Sequence, residues 1–190
     1  MAYNLKDVFY LSIAADIDNS TAGGGTAQLD LSAYIDPIAR GRSKGTGLAV
    51  YKTYFSMSQA ANGEPIDDAE SGTLRYGLQA GAGLGDVATG GFTASNAAYS
   101  LTNALLVSMG DFYGPKSMIT NANTTASMMG PLYVKPSEDV PYVIVRDNVC
   151  LTYEVGDNFV TDAILSVRLE VAQISLDQAT LNQLLRTQTV

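Results

Sequence analysis

The chain has no histidine, no tryptophan and one cysteine, Cys150, in 190 residues. Each absence removes a class of chemistry. Without histidine there is no imidazole base near neutral pH, no Ser–His–Asp triad and no His-containing zinc site. One cysteine cannot close an intrachain disulfide. Without tryptophan, the broadest aromatic platform for stacking on a sugar ring is missing. Charge is scarce: Asp, Glu, Lys and Arg make up 16% of the chain, against about 25% in an average soluble domain. What charge there is leans acidic, 19 acids against 11 bases, a formal −8. Such a chain is a poor nonspecific partner for nucleic acid, whose binding depends on Lys and Arg displacing counterions. Anionic lipid also repels it unless a local basic patch intervenes. Apolar runs such as 104–107 stop at four residues, where a spanning helix needs about twenty. At the start of the chain Asp7 directly follows Lys6 and Ser12 breaks a short apolar stretch, which reads as a strand and not as a signal peptide.

In place of charge there are eighteen Gly and many Thr, Tyr and Val, a composition of strands joined by loops. A chain of this length buries roughly 70% of its unfolded surface as one domain. Strands are expected over 8–15, 48–57, 73–79, 131–135, 142–145 and 149–155. Another is expected over 27–35, where Ala27, Leu29, Leu31, Ala33 and Ile35 alternate until Pro37 ends the ladder. Asp147-Asn148 reads as a tight turn between the last two of the short strands. The segment 94–109 fits two periods: Ala97, Leu101, Ala104, Leu105 and Ser108 share a helical face, while 105–109 also reads as a strand, the preferred reading for that half. Loops are expected over 38–47, 59–72, 80–91 and 110–130. Residues 163–174 carry the clearest alternation, with Leu165, Val167, Leu169 and Val171 on one face and Ser166, Arg168 and Glu170 on the other. Ser175 to Gln178 has the spacing of a capping box, and Leu181, Leu184 and Leu185 form an apolar stripe at helical spacing. The whole predicts an all-β fold, an antiparallel jelly-roll β-sandwich or barrel over 1–175, with a short C-terminal helix as an appendage over 176–190.

Candidate sites are few. Gly81-Ala-Gly-Leu-Gly85 lacks the spacing and the flanking strand and helix of a dinucleotide loop. Asp16, Asp18 and Ser20 open like a calcium loop, but the twelfth position is Ala27 and the sixth is Thr21, which excludes an EF-hand; a looser oxygen-ligand site stays open there. Asp67, Asp68, Glu70, Glu138 and Asp139 are the carboxylates available for glycoside hydrolysis, and their Gly, Pro and Ser neighbours read as solvated loops. Asn19 and Asn123 head glycosylation sequons, which matter only on a secretory route. Cys150 lies within an apolar strand and reads as a buried thiol. No catalytic set, cofactor site or metal site is expected. Arg40, Arg42 and Lys44 form the one basic cluster. With Leu181, Leu184 and Leu185 of the helix they are the expected contacts to a neighbouring subunit or an acidic partner.

Two segments carry a family resemblance. One is Leu29-Asp-Leu-Ser-Ala-Tyr-Ile-Asp-Pro37, with Ala39-Arg-Gly-Arg42 and Gly47-Leu-Ala-Val-Tyr-Lys-Thr-Tyr-Phe-Ser-Met57. The other is Val140-Pro-Tyr-Val-Ile-Val145, then Val149-Cys-Leu-Thr-Tyr153, then Ala163-Ile-Leu-Ser-Val-Arg-Leu-Glu-Val171. Together they resemble the single jelly-roll capsid proteins of icosahedral, internal-membrane-containing viruses of archaea and thermophilic bacteria. The resemblance spans about half the chain and leaves 59–130 unmatched. It implies upright barrels that self-assemble into capsomers, with other capsid proteins, over an inner membrane. It also implies a virion location after synthesis in the host cytoplasm, and it brings no catalytic residues. Two other readings stay open, a phage tail-tube or other tail structural protein and a lectin-like jelly-roll binding module.

Replacing Arg40, Arg42 and Lys44 together by Ser is expected to weaken assembly and flatten its salt dependence, because exposed ion contacts are screened. Sedimentation across a salt series checks this, and unchanged assembly would leave the cluster a solvated turn.

Overall fold

The computed structural model describes residues 7–19, 23–36, 44–66, 69–81, 99–118 and 128–188. Their elements in chain order are β1 (Val8–Ile17), β2 (Gly24–Asp30), β3 (Lys44–Gln59), β4 (Thr73–Ala80), β5 (Leu106–Tyr113), β6 (Met128–Met129), β7 (Tyr142–Ile144), β8 (Asn148–Asp157), β9 (Ala163–Asp177) and the helix α1 (Gln178–Thr187). A four-stranded sheet runs β1-β9-β3-β7, and a five-stranded sheet runs β2-β8-β4-β5-β6. All the pairs are antiparallel, and they nest. β1 pairs with β9, β2 with β8, β3 with β7 and β4 with β5. A long hairpin rolled up on itself gives this order, which is the jelly roll.

The core lies between the sheets. Leu48, Val50, Leu165, Leu169 and Val171 of one sheet meet Leu74, Tyr76, Leu78, Val149 and Leu151 of the other, each at most 2% exposed. The alternation read in 163–174 is therefore a half-buried central strand, with its apolar set inward. The Phe55 and Tyr76 rings meet across the gap, tilted by 43° with 4.6 Å between centroids. Beside them Thr53 Oγ1 donates to Ser108 Oγ at 3.0 Å, a buried hydroxyl pair that joins β3 to β5.

Several local expectations are corrected. β2 stops at Asp30. The Asp30 carboxylate accepts from the Ser32 amide, and the Tyr34 and Ile35 amides both bond back to the Leu31 carbonyl. Leu31 and Ile35 are buried as neighbours on one helical turn and not as alternate residues of a strand. Asp147 and Asn148 do not close a hairpin, because β7 and β8 lie in opposite sheets and the link crosses between them. The strand reading of 105–109 holds, and β5 continues through Gly110 to Tyr113 where a loop was expected. Gly110 is required there, since a Cβ would stand 2.6 Å from the Tyr76 hydroxyl. Residues 131–135 form only a bridge from Val134 to Met109; Pro131 has no amide to donate.

The helix starts from a different cap than expected. β9 runs on to Asp177, with Ser175 held in the ladder opposite Thr46. Ser175 cannot then cap. Asp177 does so, its Oδ1 accepting from the Thr180 amide at 2.7 Å. Leu181 is fully buried with Val145 and Leu176, and Leu184 and Leu185 pack at the margin of that cluster. At the helix end Gln188 locks onto the link after β7. Its Oε1 accepts from the Val145 amide at 3.3 Å, its Nε2 donates to the Val143 carbonyl at 2.6 Å, and its own carbonyl accepts from Arg146 Nε at 2.8 Å.

Because Leu181 is buried in a core cluster with Val145 and Leu176, Leu181→Ala is expected to cost about 2–5 kcal/mol, as buried Leu→Ala changes do. Ending the chain at residue 177 is expected to cost more, since it also removes Gln188. Urea unfolding of the chain checks both, and a truncated chain as stable as the parent would show that the helix is dispensable to it.

Candidate functional site

Each sheet turns a polar, aromatic face outward. On the four-stranded sheet the register sets the outward residues in rows across β1, β9 and β3. Tyr10 lies opposite Glu170, which lies opposite Lys52; Ser12 lies opposite Arg168, which lies opposite Tyr54; the next row is Ala14, Ser166 and Ser56. Tyr10 and Tyr54 are 58% and 47% exposed. The Arg168 guanidinium lies over the Tyr10 ring, 5.9 Å from its centroid, a cation–π contact. Tyr54 donates its hydroxyl to Glu170 Oε2 at 3.0 Å. That bond, then burial and the Glu170 charge, hold the Tyr54 hydroxyl above its usual pKa. Lys52 forms an ion pair with Glu138 of the loop before β7. Between the tyrosines a groove of about 490 Å³ opens over Ser12, Ser56, Ser166 and Arg168. Tyrosine and arginine are the residue types that dominate binding energy at protein interfaces, and serine adds adaptable hydrogen bonds.

On the five-stranded sheet the centre of the outward face is Asp111, 4% exposed. It accepts from Arg75 Nε at 2.7 Å and Nη2 at 3.1 Å, a two-pronged pair. The Tyr133 hydroxyl donates to it at 2.9 Å, and Tyr113 stands at 3.5 Å. Burial, the largest single influence, pushes its carboxyl up. The Arg75 bond and charge and the two tyrosines outweigh burial and hold it below the ordinary 3.8. Arg75, Asp111, Tyr113 and Glu154 line a shallower depression of about 270 Å³.

The residues picked out in the sequence are scattered. Arg40 and Arg42 lie outside the described residues, as do Asp67, Asp68 and Ser20. Lys44 opens β3, exposed, opposite Asp177. Leu181 is in the core of its own chain, with Leu184 and Leu185 half-buried beside it. Glu70 is the clear reversal, since it is fully buried where a solvated loop charge was expected. Its carboxylate accepts from the amides of Gly72 and Val160, both at 2.8 Å, and of Thr161 at 3.3 Å, pinning two loops together. A buried carboxylate persists when amides replace its water. Glu138 is committed to Lys52. Asp16 and Asp18 line a small depression with Tyr153, whose hydroxyl donates to the Asp16 carbonyl at 2.7 Å. Among the described residues no group of three or more Cys, Asp and Glu is placed to hold a metal. Cys150 is buried on β8.

The outward patches went unread in the sequence except for Ser166, Arg168 and Glu170, whose outward side follows from the alternation of β9. Tyr10 and Tyr54 could have been matched to them only with the strand register in hand.

Asp111 makes stability depend on acid. A carboxyl with a lower pKa folded than unfolded stabilises fully above its unfolded value of about 4, and the contribution is lost as pH falls through the folded value. Asp111→Asn is expected to lower stability at neutral pH and to make the loss below about pH 4 shallower. Urea midpoints across an acid series check this; an acid limb as steep as the parent's would refute it.

No protein-family model matches the chain, and no curated protein matches its sequence. Among solved structures it is similar to VP1 of Trichodysplasia spinulosa-associated polyomavirus in complex with GM1 oligosaccharide, at TM-score 0.41 and 8% identity over 93% of this chain and 96% of that one. It is similar also to Merkel cell polyomavirus VP1 in complex with disialyllactose, at TM-score 0.37 and 7% identity over 93% and 98%. A third is human polyomavirus 12 VP1 in complex with 3'-sialyllactosamine, at TM-score 0.35 and 8% identity over 89% and 100%. Similarity at this level identifies no shared site and transfers no function.

Proposed function

We propose that this chain is a virion structural protein, a single jelly-roll capsid subunit that self-assembles into capsomers and an icosahedral shell. The observation that carries the reading is a coincidence of position. Of the two segments that resemble capsid subunits in sequence, 47–57 falls on β3 and the second falls on β7–β9, and these are strands of a nested jelly roll. A jelly roll alone hosts many functions, so the outward faces supply the second support. Both present tyrosine and arginine outward, residue types enriched at surfaces that meet protein.

In this reading residues 1–175 form the barrel and 176–190 a helical appendage held against it. The subunit meets copies of itself and other capsid proteins. Its acidic balance argues against direct contact with the genome, which suits a membrane or another protein lying between shell and genome. The internal-membrane type of virion follows from the sequence resemblance, as does assembly after synthesis in the host cytoplasm.

Negative-stain microscopy and sedimentation of the purified chain test it. Rings, capsomers or closed shells are expected. Tubes would replace the reading by the tail protein, glycan binding by a monomer would replace it by the lectin-like module, and a monomer at all concentrations and salts would overturn self-assembly.

A further inference from the structure

The groove between Tyr10 and Tyr54 holds a cation, Arg168, that lies over the Tyr10 ring. Among the described residues no carboxylate pairs with Arg168, and the two ion pairs there join Lys52 to Glu138 and Arg75 to Asp111. An exposed arginine stacked on a tyrosine is arranged to receive a carboxylate from elsewhere. The walls of the groove are aromatic, so an occupant should pair an acid with an apolar group.

One exposed feature of the same chain has that composition. In the loop before β7, Asp139 is exposed, and the adjoining Val140 is 74% exposed, the most exposed of the large hydrophobic side chains among the described residues. The tip is held in shape from both sides: the Val140 amide donates to Ser137 Oγ at 3.1 Å, the Ser137 amide bonds back to the Val140 carbonyl at 3.2 Å, and Glu138 is tied to Lys52. A tip already ordered loses little freedom on docking. With Glu138 committed, Asp139 is left to meet a partner.

We propose that the Tyr10–Tyr54–Arg168 groove is a self-recognition site that takes the Asp139–Val140 tip of a second copy of this chain. The carboxylate of Asp139 meets the Arg168 guanidinium, and Val140 packs between the tyrosine rings. The proposal rests on the self-assembling reading above and names the contact that drives it.

A charge swap tests it. Arg168→Glu and Asp139→Arg are each expected to raise the concentration at half-assembly about thirtyfold, the effect of losing a central interface anchor. The double variant is expected to recover most of the loss, because the pair is restored in reverse. Melting curves of the monomers should match the parent, since both residues are exposed. Singles that assemble like the parent overturn the proposal while leaving self-assembly standing. Singles that fail without rescue by the double overturn Asp139 as the partner. A parent that never assembles overturns the underlying reading instead. In case a variant misfolds, a photo-crosslinking residue in place of Tyr10 gives an independent readout. In mixed isotope-labelled and unlabelled assemblies it should capture the 137–140 segment of the other copy, and capture of any other segment refutes the site.

Discussion

One strand holds this molecule together. β9 bonds along its whole length to β3 on one edge and along most of it to β1 on the other. The first strand of the fold is thus zipped to the last. Every other pairing nests inside that one, so no pair can slip without carrying its neighbours. A one-residue slip would also turn Leu165, Val167, Leu169 and Val171 to solvent and bring Arg168 into the core, a change that burial forbids. The ladder and the alternation of side chains therefore enforce one register between them. The cost is topological: contacts between the two ends of the chain form only after long loops close, which makes such folds slow to form.

The same strand builds the surface. Since β9 is flanked on both edges from Ala163 to Ala172, each of its outward residues there has a neighbour on either side. Arg168 lies between Ser12 and Tyr54, and Glu170 between Tyr10 and Lys52. A strand that buries one face must expose the other, and here the exposed face is built of residues suited to contact and not merely to solvation. The opposite sheet repeats the scheme with Arg75, Asp111 and Tyr133. The core and the exposed polar surface are two faces of the same ladders.

Polar groups inside the fold are placed where elements must be joined. Thr53 and Ser108 tie the two sheets, Glu70 pins two loops, and Gln188 fastens the helix end to the link after β7. Each would be costly to bury alone. Each is bonded, and most of the donors are backbone amides of irregular segments that no ladder could satisfy.

Much of this was legible in one dimension. The period of two in 163–174 identified the central strand and its buried face. The stripe of Leu181, Leu184 and Leu185 identified the helix, and the scarcity of charge with abundant Gly, Thr and Tyr identified the β class. These readings succeed because they depend on near neighbours in sequence, and side-chain direction repeats with a fixed local period. Other points were decided in three dimensions. Leu31 and Ile35 satisfy both a strand and a helical turn, and the carbonyl of Leu31 chose the turn. Ser175 has the form of a cap, but its place opposite Thr46 in the ladder gave that role to Asp177. Glu70 reads as a loop acid until the amides of residues 160 and 161, far along the chain, close over it. The groove is of the same kind. The outward side of Arg168 is local information, but its company with Tyr10 and Tyr54 exists only once β1, β9 and β3 lie side by side. Sequence determined which faces the strands would bury, and tertiary structure decided which exposed residues would meet, because register between distant strands depends on partners that no local period contains.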